Sequence, residues 1–433
     1  MKEGAQGVRG VQGTRVVLLA MTTGYQTRMF AGAAQRLGIE LVYATDRCDQ
    51  IEDPWGDHAI PVRFHEESRS VDALLQALQP QPVDGIVAVG DRPTVMAARL
   101  ARHLNLPGHP PEAAMAARDK RVAREKFKAA GLLAPRSFAA PITIEAIAVL
   151  PEVQFPVVLK PTVLSGSRGV IRADDAVSFA AAFERIRRML LSDDVRELRD
   201  PEADVIQIEE YIPGAEYAFE GLLEHGDLRT IAIFDKPDPL EGPFFEETIY
   251  VTPSRANPGT QEQITQAVKR AAQALGLYHG PIHAECRFNN TGPYVLEVAA
   301  RPIGGLCAKT LRFEREGQQI GFEDLLLLHA AGEPTSAWRR EPLASAVMMI
   351  PIPRSGILRR VEGLNHAAAV PYVDEIQITA KPDQKLLMLP EGSSYLGFIF
   401  ARAATAHDAE GALREAHARL RFIIDPLIPV SAA

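Results

Sequence analysis

Gly280–Gly305 reads GPIHAECRFNNTGPYVLEVAARPIGG. Two short apolar runs, Pro281 to Arg287 and Pro293 to Ala299, flank the turn-forming Asn289-Asn290-Thr291-Gly292, and this pattern predicts a β-hairpin. Side chains alternate faces along a strand. His283 and Glu285 therefore share one face of the first strand, and Glu297, Ala299 and Arg301 share one face of the second. The ladder is expected to bring Glu285 and Glu297 together. Two carboxylates ~4 Å apart repel by about 4 kcal/mol at an effective dielectric of roughly 20, which calls for a cation between them or a proton on one. Hard oxygen ligands with room left for phosphate oxygens suit Mg²⁺, so Glu285 and Glu297 are the candidate metal ligands. Arg301 would add a planar cation on the same face.

The remainder of the 433-residue chain, 46% apolar and 24% charged, has the balance of a soluble globular protein of about two to four domains. The net charge is −8, and no basic cluster is interleaved with aromatics, which argues against a nucleic-acid partner. Cys48, Cys286 and Cys307 stand at spacings that fit no zinc or redox motif and read as reduced thiols of a cytoplasmic protein. No apolar run approaches the ~20 residues that cross a bilayer, and no hydrophobic signal core is seen at the start, so no membrane association is expected. Met1 to Thr14, Gly-rich and polar, reads as a flexible tail.

From Val16 the chain alternates strand and helix: strands Val16–Ala20, Leu41–Ala44 and Gly85–Val89, and helices Tyr25–Leu37, Val71–Gln79 with Ser70 as its cap, and Pro93–Leu104. That alternation predicts a parallel, doubly wound sheet. Thr22-Thr23-Gly24 is not a dinucleotide fingerprint; a structural turn and a substrate loop remain open. Asp119 should cap a helix from Lys120 to Gly131. Val157–Pro161 is a strand ending at Lys160, and Ser165-Gly166-Ser167-Arg168-Gly169-Val170 follows. Glycine lets backbone N–H groups approach phosphate oxygens, and the upstream lysine favours this over plain hairpin chemistry. The helix Asp175–Leu191 carries Phe179, Phe183, Ile186 and Leu190 at core spacing. Glu209-Glu210-Tyr211-Ile212 to Glu216 reads as strand, bend, strand. The bend from Glu210 to Ile212 offers backbone groups to the edge of a flat heterocycle, while Glu216 is either an acceptor for ribose hydroxyls or an exposed strand carboxylate. Pro243 to Glu247 is an acidic loop facing a substrate amine or solvent. A Thr260/Gln263 capping box opens a helix to Leu275, and a helix from about Asp408 to Phe422 closes a strand-rich end.

Taken in order, these motifs resemble the ATP-grasp superfamily of carboxylate–amine ligases, and are most similar to the L-amino acid ligases that join two amino acids. The resemblance implies an α/β fold, α+β in its ATP-binding part. It comprises a Rossmann-like N-terminal domain (15–118), an ATP-grasp domain (119–335) with a mobile lid (about 132–204), and a C-terminal α+β domain (336–433). Lys120 and Lys160 match the phosphate lysines, and Ser165, Gly166, Ser167, Arg168 and Gly169 the mobile loop. Glu209, Glu210, Tyr211 and Ile212 match the adenine hinge, with the ribose carboxylate falling on Glu216. Glu285 and Glu297 match the metal ligands, and Arg301 the arginine near the transferred phosphoryl group. The cofactors implied are ATP and Mg²⁺, with Mn²⁺ as an alternative; the partners are a small-molecule carboxylate and an amine, and a homodimer is compatible. His283 could bind substrate, accept the amine's proton or serve only the strand. Ala299 stands where many relatives carry a metal-binding asparagine, which leaves one or two ions open. Two other readings share the scaffold. A carboxylase of the biotin-carboxylase type would need a polar run after Arg301, where Pro302-Ile303-Gly304-Gly305 stands. A non-catalytic nucleotide-binding module would not need Lys160, Glu285, Glu297 and Arg301 intact.

Overall fold

The computed structural model describes residues 11–21, 26–46 and 58–427. Arg15–Ala20 is buried from Val16 onward, as a strand covered on both faces must be. It lies between the parallel strands Glu40–Thr45 and Gly85–Val89, with Ile60–Pro61 at the far edge. Val16, Leu18 and Ala20 pack with Phe30, Ala33 and Leu37 of the helix Gln26–Leu37. Val17 and Leu19 pack the other way, with Leu74 of Glu67–Leu78 and Met96 and Leu100 of Pro93–Leu104. Strand alternation thus builds the two-sided layer that the sequence predicts.

Ser70 is not the cap expected of it. The helix already begins at Glu67, and the buried Ser70 hydroxyl accepts from the Arg63 N–H at 2.8 Å and donates to the Arg63 carbonyl at 3.0 Å. The end of the expected tail is packed as well: Val11 is buried, and the Gly13 N–H donates to the Gly38 carbonyl at 3.2 Å. Residues 1–10, Thr22-Thr23-Gly24 and Cys48 lie outside the described residues. The strand Gly85–Val89 meets the helix Phe322–Ala330 so closely that a methyl group at Gly85 would fall 2.1 Å from the Ala330 carbonyl oxygen.

Asp119 caps the helix Lys120–Ala129, accepting from the N–H groups of Arg121 at 2.9 Å and Val122 at 3.3 Å. A small antiparallel sheet follows, in the order Ser137–Pro141, Val205–Glu210, Val157–Pro161, Ile171–Ala173. The helix Ala176–Leu190 lies on it, with Phe179, Phe183, Ile186 and Leu190 packed over Leu159, Ile206 and Ile208. Two contacts tie this unit to the C-terminal part: the Gly169 N–H donates to the Pro390 carbonyl at 2.9 Å, and Arg185 grips Glu391 at 2.5 and 2.8 Å.

The largest sheet has eight antiparallel strands, ordered Gly292–Ala299, Gly280–Asn289, Ala215–Glu224, Asp227–Asp235, Ile249–Thr252, Ala344–Ile350, Gly397–Ala403 and Val373–Ile378. Ile249–Thr252 pairs with Ala344–Ile350, so three C-terminal strands extend the large sheet, while Gly356–Glu362 pairs with Lys385–Leu386 and Arg421–Asp425 in a small sheet made of C-terminal residues alone. Asn257, not Thr260, caps the helix Pro258–Leu275: its side chain accepts from the Thr260 N–H at 2.9 Å, ahead of a proline suited to the first turn. The last helix is Ala406–Ala418, capped by Thr405, and Phe422 belongs to the following strand Arg421–Asp425. Among the described residues no helix is long and apolar enough to cross a membrane.

Candidate active site

The hairpin forms as the sequence predicts, with Glu285 directly opposite Glu297 and His283 opposite Ala299; the register slips just after Glu285. Both carboxylates face a cavity of about 270 Å³ between the small sheet and the large one. Lys120, Lys160, Ser165, Gly166 and Ser167 line it, as do Glu209, Glu210, Tyr211, Ile212 and Glu216, together with His283 and Arg301. Two expected loop residues do not. Arg168 turns aside to Asp194 at 2.7 Å, and Gly169 is held by Pro390.

At one end of the cavity, Lys160 bonds Glu209 at 2.6 Å, and Arg124 reaches the other oxygen of the same carboxylate at 2.8 Å. Burial favours the neutral acid, yet Arg124 and Lys160 hold Glu209 below the usual carboxylate range. Burial also lowers Lys160, with Arg124 and Lys120 adding to the fall and Glu209 opposing it. One carboxylate faces three cations, so this end is built for an anion.

The bend is less open than its sequence suggests. The Glu210 N–H donates to the Arg136 carbonyl at 2.9 Å, the Tyr211 N–H to Pro156 at 3.1 Å, and the Ile212 carbonyl accepts from Arg287 at 2.8 Å. Arg287 also bonds Glu216 at 2.7 Å and sits 5.2 Å from the Tyr211 ring and 5.5 Å from the Phe245 ring. Glu216 is thus a nearly buried, doubly paired carboxylate, unlike an exposed strand acid.

Deeper in, Glu216, Glu247 and Glu285 converge, with one oxygen of each within 4.8 Å of the others. The Lys236 ammonium bonds all three, at 2.8, 2.5 and 2.9 Å. Burial opposes its charge, but the three carboxylates raise Lys236 well above the ordinary lysine range. Burial pushes Glu247 up to about 7 against the pull of Lys236, while Lys236 and His283 overcome burial to hold Glu285 well below the ordinary range. His283 bonds Glu220 through Nδ1, and Glu220 overrides burial to raise the imidazole to about 9. Arg301 pairs with Asp91 through Nε at 2.8 Å and Nη2 at 3.2 Å, not with Glu297.

Asp91, Arg124, Lys236, Arg287 and Glu220 complete the site without standing out as ligands in the sequence, whereas Glu247 belongs to the acidic loop read there as facing a substrate amine or solvent. Asp91 left a trace, following Gly90 at the carboxyl end of a strand, where ligands collect in such sheets. Arg124 lies one helical turn beyond Lys120.

Residues 153–310 match the ATP-grasp domain model, residues 30–108 the ATP-grasp N-terminal domain, and residues 348–425 the L-amino acid ligase C-terminal domain 2. An L-amino acid ligase from Bacillus licheniformis superposes with a TM-score of 0.79 at 26% identity, covering 96% of this chain and 99% of that one. The chain belongs to the ATP-grasp superfamily of carboxylate–amine ligases. An uncharacterised protein of Sinorhizobium fredii is 26% identical over 344 residues, 79% of this chain and 69% of that protein. Alanine–anticapsin ligase of Bacillus subtilis is 29% identical over 251 residues, 55% of this chain; the chain matches about half the length of that relative, 52%.

ATP-grasp ligases use ATP, typically with Mg²⁺, and the donor sets fit both. The cations Lys120, Lys160 and Arg124 at one end match phosphate oxygens. The clustered carboxylates, with Glu297 opposite Glu285, are hard donors already gathered around a positive charge.

Proposed function

We propose that this ATP-grasp ligase joins the carboxylate of an amino acid to the amine of a second small molecule, through an acyl phosphate and with release of ADP and phosphate. The observation that carries this reading is that Lys120, Lys160, Glu285, Glu297 and Arg301 line one cavity. When bound, Mg²⁺ and ATP supply the phosphoryl group and the charge neutralisation that make a carboxylate oxygen a leaving group. Glu285 and Glu297 would hold the ion, with Mn²⁺ a substitute, and Glu216 and Glu247 extend the donor set.

The chain's own residues do the aligning. Lys120 and Lys160 hold the phosphates, with Glu209 fixing Lys160 in place. Tyr211 and Phe245 provide an aromatic wall for the base. Arg301, kept in one orientation by Asp91, faces the negative charge that develops as the acyl phosphate forms and as the amine attacks it. His283, held by Glu220 through Nδ1 and raised above the ordinary imidazole range, is better suited to donate toward substrate than to accept the amine proton. Ser165, Gly166 and Ser167 cover the phosphate end and exclude water. Buried Cys286 and Cys307, both free thiols, support a cytoplasmic setting. The carboxylase alternative gains nothing here, because the backbone of Ile303 after Arg301 is taken by Glu220 and Gln26.

The test is a coupled ADP-release screen over amino acids, singly and in pairs, with mass spectrometry of the product. Amine-dependent ADP release with a condensed product is expected. ADP release that needs no amine, or none with any pair, would remove the reading.

A further inference from the structure

Lys236 occupies a place that its charge makes consequential. The ammonium has three N–H donors, and Glu216, Glu247 and Glu285 take one each. Its side chain is 2% exposed, and the Tyr250 ring stands 5.1 Å away. No other group of three such ligand side chains lies this close together among the described residues. The oxygens that hold the ammonium are also the ones that a hard divalent cation would take, so the two compete for them and repel each other at such short range.

Geometry sets the alternatives. Lys236 directly follows the strand Asp227–Asp235, its backbone N–H is fixed to the Glu216 carbonyl at 3.2 Å, and its four-carbon stem leaves only the ammonium to move. The cavity that Lys236 faces through Glu216, Glu247 and Glu285 is the one lined by Lys160 and Ser165, where phosphates would lie. An ammonium driven off the carboxylates has phosphate oxygens on that side to receive it when nucleotide is present.

We propose that Lys236 is an internal counter-ion that keeps the carboxylate triad closed to free divalent cation and yields it only to a cation arriving with nucleotide, whose phosphates then accept the ammonium. This rests on the reading of the cavity as a metal–nucleotide site. It imposes an order that the ligase reaction itself does not require: free cation binds weakly, and nucleotide and cation bind as one cooperative event.

The experiment is Mn²⁺ binding to the full chain, followed by electron paramagnetic resonance with and without ADP, for the wild type, Lys236→Met and Lys236→Arg. The wild type should bind free Mn²⁺ at least tenfold more weakly than Mn²⁺ with ADP. Lys236→Met should bind free Mn²⁺ at least tenfold more tightly than the wild type, and Lys236→Arg, which keeps the cation, should resemble the wild type. Lys236→Met should also melt lower than the wild type, because three carboxylates are left unneutralised, and Mn²⁺ alone should restore its melting temperature. Wild-type protein that binds free Mn²⁺ as tightly as Mn²⁺ with ADP overturns the proposal, and this comparison decides even if Lys236→Met fails to fold. Equal free-Mn²⁺ affinities for Lys236→Met and the wild type overturn it too. Absence of any Mn²⁺ binding in the presence of ADP would instead overturn the metal–nucleotide reading beneath it.

Discussion

Asp91 and Arg301, 210 positions apart, meet as a two-pronged pair, with Nε and Nη2 of the guanidinium on the two carboxylate oxygens at 2.8 and 3.2 Å. Asp91 belongs to the loop after an N-terminal strand, and Arg301 to the end of the hairpin of the large sheet. The pair fixes a planar cation against a cavity wall across the seam of two sheets, where a single contact would let the guanidinium swing.

Arg301→Ala should slow ligation on the order of 10²–10³-fold, the effect of losing one preorganised donor to developing charge. Asp91→Asn keeps the shape and loses the charge, so it should lower kcat by roughly 10-fold and leave the KM for ATP near its wild-type value. Steady-state ADP release checks both. A raised KM for ATP in both variants would place the pair in nucleotide binding instead.

Glu297→Ala should abolish ADP formation while leaving the far-ultraviolet circular dichroism intact. The residue ends a hairpin whose packing rests on Val295 and Val298, both buried. Wild-type turnover in this variant would refute the metal assignment.

Lys160→Ala should raise the KM for ATP by more than 10-fold, since it strips one cation from the phosphate end and leaves Glu209 there with Arg124. Isothermal titration with a non-hydrolysable ATP analogue measures the same loss without turnover. The Glu209→Gln variant should be milder, because Lys160 remains.

Away from the cavity, burial, together with neighbouring histidines, depresses His109 and His279 to about 4 and His329 to about 3. The rings of His279 and His329 stack at 4.2 Å, with Nδ1 of the first and Nε2 of the second buried without a partner. The folded pKa values lie below the unfolded value of about 6.5, so between that pH and about 4 the unfolded chain binds more protons. The contribution of these histidines is therefore full above about pH 6.5 and is lost on acidification, by roughly 1.4 kcal/mol per pH unit for each proton so withheld, while Glu247 and Glu323, raised by burial to about 7, act in the opposite sense. In thermal melts from pH 7.5 to 4.5, His329→Leu should lose less stability on acidification than the wild type. An unchanged slope in that variant would exclude the cluster as its source.

How much could be read in advance follows from how local each signal is. The hairpin was legible because period-two alternation and a turn tetrad lie within one short stretch, and the facing of Glu285 and Glu297 follows from them. The alternating strands and helices of the first hundred or so residues were legible for the same reason. The Lys236 cluster was not, because Glu216 and Glu285 come together only when distant strands become neighbours in one sheet, and Glu247 joins them from the loop before Ile249–Thr252. Asp91 was hidden likewise by the seam between two sheets. The missed caps have a different cause: Ser70 and Thr260 carry the right hydroxyl, but Arg63 engages one, and Asn257 followed by Pro258 opens the helix of the other. Arg168 and Gly169 lie off the cavity wall because a Gly/Ser loop specifies freedom of backbone, and which of its residues turn inward is decided by Asp194 and Pro390 elsewhere in the chain.

The absence of a side chain at Gly85 bears on all of this chemistry. With main chain resting on main chain at Ala330, the strand that delivers Asp91 has no adjustable padding beneath it. Even alanine there should push that strand outward and carry Asp91 away from Arg301, so a substitution remote from the reacting atoms would register as a catalytic defect before it registered as a folding one.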